Sequence, residues 1–107
     1  MTPAEKTRLL AERVMGWDRR GGFWFNAAGG LVEDAADWDP LTNLSHAGEV
    51  MEAMISKGWT CIARNVAGMH MVGLASGERS VRCFAHTLSA AICHAALLAE
   101  GVKEEDL

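Results

Sequence analysis

The 107-residue chain has no apolar run near the ~20 residues that a membrane-spanning helix requires. Its opening residues, Met1 to Lys6, lack the basic-then-apolar plan of a secretory leader. A soluble, cytoplasmic protein is expected. Positive charge is also scarce: ten Lys and Arg against fourteen Asp and Glu leave a formal charge of −4, which offers nucleic acid no electrostatic footprint. The three cysteines, Cys61, Cys83 and Cys93, are odd in number and form no CxxC pair, which argues against a disulfide framework and for a reducing compartment. No phosphate-binding loop, nucleophile elbow or HExxH helix is present, and Gly21-Gly22 and Gly29-Gly30 are turn glycines outside any phosphate-loop context. These absences remove the common routes to catalysis.

What is present suits one globular domain over residues 1–107. Half the residues are hydrophobic and 22% charged, too apolar for a disordered chain. Area scaling gives roughly 65% of the unfolded surface buried, enough for one core. Thr2-Pro3-Ala4-Glu5 is a capping box opening a helix that runs to about residue 15. Phe23 to Phe25 and Leu31 to Glu33, separated by the turn from Asn26 to Gly30, read as a short hairpin. Leu44, Ala47, Val50, Met51, Met54 and Ile55 carry the helical period of an amphipathic helix ending at Gly58. Three alternating runs follow, from Trp59, from Met69 to Ala75 and from Arg79 to Ala85, as an antiparallel meander. Met71 and Cys83 set against Val72 and Phe84 make both of its faces apolar, so helices are expected on both sides. Thr87 caps a last helix with Leu88, Ala91, Ile92, Ala95 and Leu98 inward, and the charged residues 102–107 are expected to fray. The fold class is α+β, in the order α-β-β-α-β-β-β-α.

Several of these stretches resemble one family. Leu10-Ala11-Glu12-Arg13-Val14-Met15-Gly16-Trp17 resembles the first helix and Gly-Trp exit of the phage ABA-sandwich domain proteins, small proteins of bacteriophages and prophages. Trp38-Asp39-Pro40-Leu41-Thr42-Asn43 is similar to their approach to the middle helix, and Glu49 to Met54 with Gly58-Trp59 to its continuation. Thr87 with Ala91-Ile92-Cys93-His94-Ala95-Ala96-Leu97 is similar to their closing helix. The chain departs from the family at Ser89, where Pro is usual, at Gly48, where Trp is usual, and at His94, which replaces an apolar residue. The resemblance implies a helix-sheet-helix sandwich of phage origin with no catalytic residues to carry over. It implies no settled activity; taken with the missing catalytic constellation, it suggests a protein that acts by binding a host or phage protein, with interference in host defence as the matching biology.

The candidate sites divide accordingly. For a protein partner the candidates are Arg19, Arg20, Trp24 and Trp38. Trp17, Phe23, Trp24, Phe25 and Trp38 crowd one glycine-rich stretch, and alternation lets the two phenylalanines go inward while Trp24 stays near the surface, rimmed by Arg19, Arg20 and the acidic Glu33, Asp34 and Asp37. The plainer alternative is that all five aromatics cap the core. For a small-molecule binder, Arg64, His70, Arg82 and His86 would converge on an anionic ligand or nucleotide, against the alternative that Arg64, Arg79 and Arg82 guard sheet edges. Cys83-x-x-His86 and Cys93-His94 hold zinc-ligand types, but Cys93 and His94 diverge by about 100° around a helix and cannot aim at one ion. No metal, cofactor or enzymatic activity is expected. Met51, Met54, Met69 and Met71 are expected to fill the core. Gly48 in mid-helix suggests close approach of a neighbouring backbone, and with Ala90, Ala91, Ala95 and Ala96 it supports a homodimer.

Overall fold

The computed structural model describes residues 1–107. Thr2 accepts from the Glu5 amide and Glu5 reaches back to the Thr2 amide, so α1 (Pro3–Leu9) starts at the capping box. It passes into one π-helical turn (Leu10–Val14), of which Leu10, Ala11 and Val14 are buried. Then follow β1 (Asp18–Arg20), β2 (Phe23–Phe25) and β3 (Leu31–Asp34), α2 (Leu44–Ser56), β4 (Thr60–Val66), β5 (Met69–Ser76), β6 (Arg79–Ala85) and α3 (Leu88–Ala99). Asn43 and Thr87 cap α2 and α3 through His46 and Ala90 amides.

The hairpin is in fact a three-stranded sheet. β1 pairs antiparallel with β2, Arg19 opposite Trp24, across the Gly21-Gly22 turn, so the order gains one strand. Three residues reading Asp-Arg-Arg are too short and polar to show a strand period. β4, β5 and β6 form a second, separate three-stranded antiparallel sheet. Its first turn has two residues, Ala67 (φ 50) and Gly68 (φ 82), both left-handed as a primed turn demands, and Ala67 bears the strain of that region.

α3 lies at the centre. Its residues Ala91, Cys93, Ala95, Ala96 and Leu97 are fully buried, with β5 and β6 on one side and α2 and the π-helical turn on the other. α2 reaches the sheet at β4. This is an α+β sandwich, as the sequence indicates. The second helical cover expected for the meander is missing. Pairing sets Val72 opposite Cys83 and Met71 opposite Phe84, so Met71 and Phe84 share one face, contrary to the assignment by parity. The inner face, with Val72, Leu74, Val81 and Cys83, packs on α3. The outer face carries Ile62, Val66, Met71 and Phe84, none of which joins the core. Met69 and Met71 are therefore outward-facing, half-buried residues and fill no core.

At the chain end Val102 is buried, Glu104–Asp106 make a 3-10 turn and Leu107 rests on the core. Two expectations change. Ala91, Ala95 and Ala96 are used inside the chain, which removes them as a dimer surface. At Gly48 a Cβ would meet nothing within 4 Å, so no backbone approaches it. Gly48→Ala should therefore raise stability by about 0.5–1 kcal/mol, the helix-interior cost of glycine. Urea unfolding checks this, and a lowered midpoint would mean that the position holds a contact the fold does not reveal.

Candidate functional site

Two concave surfaces bring candidate residues together. The first lies where α1 meets the β1–β3 sheet, a groove of about 290 Å³ lined by Pro3, Thr7, Arg8, Arg19, Trp24 and Trp38 among others. Trp24 and Trp38 are each only 2% exposed, while Phe23 is 44% exposed. The expected arrangement is thus reversed: the indole goes inward because that face of β2 meets Trp17, whose ring lies 6.5 Å from Trp24 and 4.7 Å, edge-on, from Trp38. An indole also buries more apolar area there than a phenyl ring. Trp38 Nε1 donates to Glu49 Oε2 on α2 at 2.9 Å, whereas the buried Trp24 Nε1 has no acceptor. Arg19 stands 6.0 Å from the Trp24 ring and donates to the Gly21 carbonyl; Arg20 lies 5.1 Å from the Phe25 ring, on the other face, and pairs with Asp18. Arg8 pairs with Glu12. Most polar groups around this groove are already engaged within the chain.

The second is on the outer face of the β4–β6 sheet, a groove of about 250 Å³ lined by Ile62, Arg64, Met71, Gly73 and Arg82 among others. Cross-strand pairing stacks these as rows: Arg64, Met71 and Phe84 in one, Ile62, Gly73 and Arg82 in the next. Gly73 leaves a trough where a Cβ would meet only Met71 Sδ and the Val81 carbonyl, each at 3.8 Å. Arg64 and Arg82 make no hydrogen bond or ion pair, in contrast to Arg79, which donates to the Ala99 carbonyl at the end of α3 and lies 5.3 Å from the Trp59 ring. Of the four residues expected around an anion, Arg64 and Arg82 come together. His70 pairs with Asn65 and Ala85 on the inner face, and His86 is exposed in the bend beyond β6, so neither joins them. Ile62 and Phe84, 49% and 50% exposed, belong to this surface and were missed. Their cross-strand register is the signal that would have found them.

No three His, Cys, Asp or Glu side chains gather as metal ligands would. Burial pushes the Cys61 and Cys83 thiols up, Cys83 with further help from Glu104, and burial pushes Cys93 up to about 12. None is poised as a thiolate nucleophile. His94 on α3 has its Nε2 3.1 Å from Lys6 Nζ. An ammonium only donates, so this nitrogen must be bare and the ring neutral. Burial first, then Lys6, lowers the His94 pKa from 6.5.

The geometry agrees with the comparisons. A family model described as the phage ABA sandwich domain matches residues 8–97. Among solved structures, a 2.0 Å crystal structure of a phage protein from Bacillus cereus is 17% identical, with a TM-score of 0.76, covering 96% of this chain and 91% of that one. A search of curated proteins finds no match.

Two outcomes follow. Trp24→Ala should cost about 3–5 kcal/mol of stability as a core truncation, and a parent-like urea midpoint would return the indole to the surface. For His94, the folded state resists protonation more than the unfolded state, whose pKa is 6.5. The unfolded chain therefore binds more protons as pH drops through that value, and stability falls until the lowered folded pKa is passed. His94→Leu should flatten this acid limb relative to the parent in urea titrations at pH 7.5 and 5.5; an unchanged limb would exclude the Lys6–His94 contact as its source.

Proposed function

The chain belongs to the phage ABA sandwich domain family, and from that premise we propose that it acts by binding a host or phage protein through the outer face of its β4–β6 sheet. The observation that supports this reading is the uncovered apolar surface. Scattered exposed hydrophobic residues are ordinary, but Ile62, Val66, Met71 and Phe84 are neighbours on paired strands, with arginines among them. An apolar centre with arginine at its border is the composition that concentrates binding energy at protein interfaces. The buried Trp24 and Trp38 leave the first groove with less to offer a partner, although Arg19 and Arg20 remain exposed beside it.

A second reading is favoured by one observation: Arg64 and Arg82 line the same groove with no carboxylate bound to either. An anionic small molecule would use both. Thermal shift with inorganic phosphate and with nucleoside triphosphates reads that alternative directly.

The test of the main reading uses the immobilised protein and lysate of a phage-producing host culture. A variant carrying Ile62→Thr and Phe84→Thr places a β-branched strand former at both exposed positions, so its melting should stay within about 1 kcal/mol of the parent. Its capture of the parent's binding protein should fall at least about tenfold, the scale set by losing interface anchors. Undiminished capture would move the interface off this face, and the absence of any captured protein would sink the reading.

A further inference from the structure

The outer sheet face also constrains what kind of protein segment it takes. We infer that its occupant is an amphipathic helix of a partner protein, with carboxylates bordering the helix's apolar stripe. This rests on the protein-binding reading above and adds the chemistry of the partner.

The backbone dictates the helix. In a sheet the amide and carbonyl groups point sideways into the ladders, and here β5 is paired on both sides. A segment laid over the face therefore finds no backbone partners, and an extended one would bury unpaired polar groups. A helix satisfies its own. The chain uses this solution on the inner face, where α3 covers Val72 and Leu74.

Charge selects the border of that helix. No Asp or Glu stands at any outward position of the three strands, yet Arg64 and Arg82 both do, and neither has a partner. Arg64 is on β4 and Arg82 on β6, the two edge strands, one row of pairs apart. Strand spacing puts their Cα atoms about 12 Å apart on the diagonal, with Gly73 and Met71 between them. A helix is about 10–12 Å across. Lying in the trough with small or apolar residues on Gly73 and Met71, it would present its two flanks to the two guanidiniums, which carboxylates pair with well. A second copy of this face would bring arginine against arginine with no acid to offset it. Single-stranded nucleic acid finds one aromatic, Phe84, and no lysine on which to stack and track its backbone.

The probe is a pair of 18-residue synthetic helical peptides with the same Leu/Ala stripe, bordered by Glu in one and by Lys in the other, titrated against the full chain by fluorescence anisotropy. The Glu peptide should bind at least about fivefold more tightly, and Arg64→Glu with Arg82→Glu should reverse the preference. If that variant fails to melt cooperatively, Arg64→Gln with Arg82→Gln should abolish the preference instead. Equal binding of the two peptides, binding of neither, or preference for Lys overturns the inference. So does tighter binding of a single-stranded oligonucleotide, or a dimer mass in light scattering at ~100 μM that Ile62→Thr with Phe84→Thr reverts to monomer. Capture from lysate separates the two levels. If it is lost with Ile62→Thr and Phe84→Thr but kept with the charge-reversed variant, the acidic helix falls while the protein-binding reading stands.

Discussion

The burial of α3 on nearly every side is the constraint from which the rest of this fold follows. Eight of its residues, Ser89, Ala91, Ile92, Cys93, Ala95, Ala96, Leu97 and Ala99, are buried, so the helix needs neighbours all round. Small side chains let those neighbours come close: β5 and β6 pack on one side, and α2 and the π-helical turn on the other. The helix ends are secured as well, by the Thr87 cap at one and by Arg79 on the Ala99 carbonyl at the other. With α3 taking the inner face of the β4–β6 sheet, and the other helices gathered behind α3, nothing in the chain is left to cover the outer face. The open surface is a consequence of the core and no local accident.

The small β1–β3 sheet is held by a different device. Trp17, Trp24 and Trp38 cluster beneath it, and Trp38 reaches Glu49 on α2 while His46 receives the Asp39 amide and lies 3.6 Å from Glu33 of β3. These links fasten a sheet of short, mostly exposed strands to the first turns of α2. The unpartnered Trp24 Nε1 is the cost of that arrangement, about 1–3 kcal/mol for a buried donor without an acceptor. Burying a whole indole offsets it.

Much of this was legible in the sequence because it is encoded locally. The caps at Thr2 and Thr87 stand where their side-chain oxygens reach an amide three residues on, and α2 and α3 show their period plainly. What was not legible depends on how distant segments meet. Alternation assigns sides within one strand but says nothing about which side of the next strand matches it; the turn lengths decide that, and they put Met71 with Phe84. Trp24 was misplaced for the same reason, since its inward direction is set by Trp17 and Trp38 rather than by Phe23 and Phe25 beside it. β1 escaped notice because three polar residues carry no pattern, and the last residues looked like a solvated tail although Val102 and Leu107 find apolar partners. The candidate site suffered most: Arg64 and Arg82 were named, but Ile62, Met71 and Phe84, which give those arginines a surface to act on, become a group only once the register is known.

An open apolar sheet face with unprotected edges on both sides is ordinarily an aggregation hazard, because any exposed strand can pair with another chain and any exposed apolar face can stack. In this chain the only charges on that face are one arginine on each edge strand. Two copies stacked face to face would place two pairs of like charges in one layer that holds no acid. On the proposed reading, a guard against self-association and the recognition of a partner would be one feature: the cations that disfavour a second copy would pair with an acid-bordered partner. Edge guarding and anion binding, which compete as explanations of Arg64 and Arg82 in the sequence, are compatible in the fold, because specificity is a difference between affinities and the same two cations act on both sides of it.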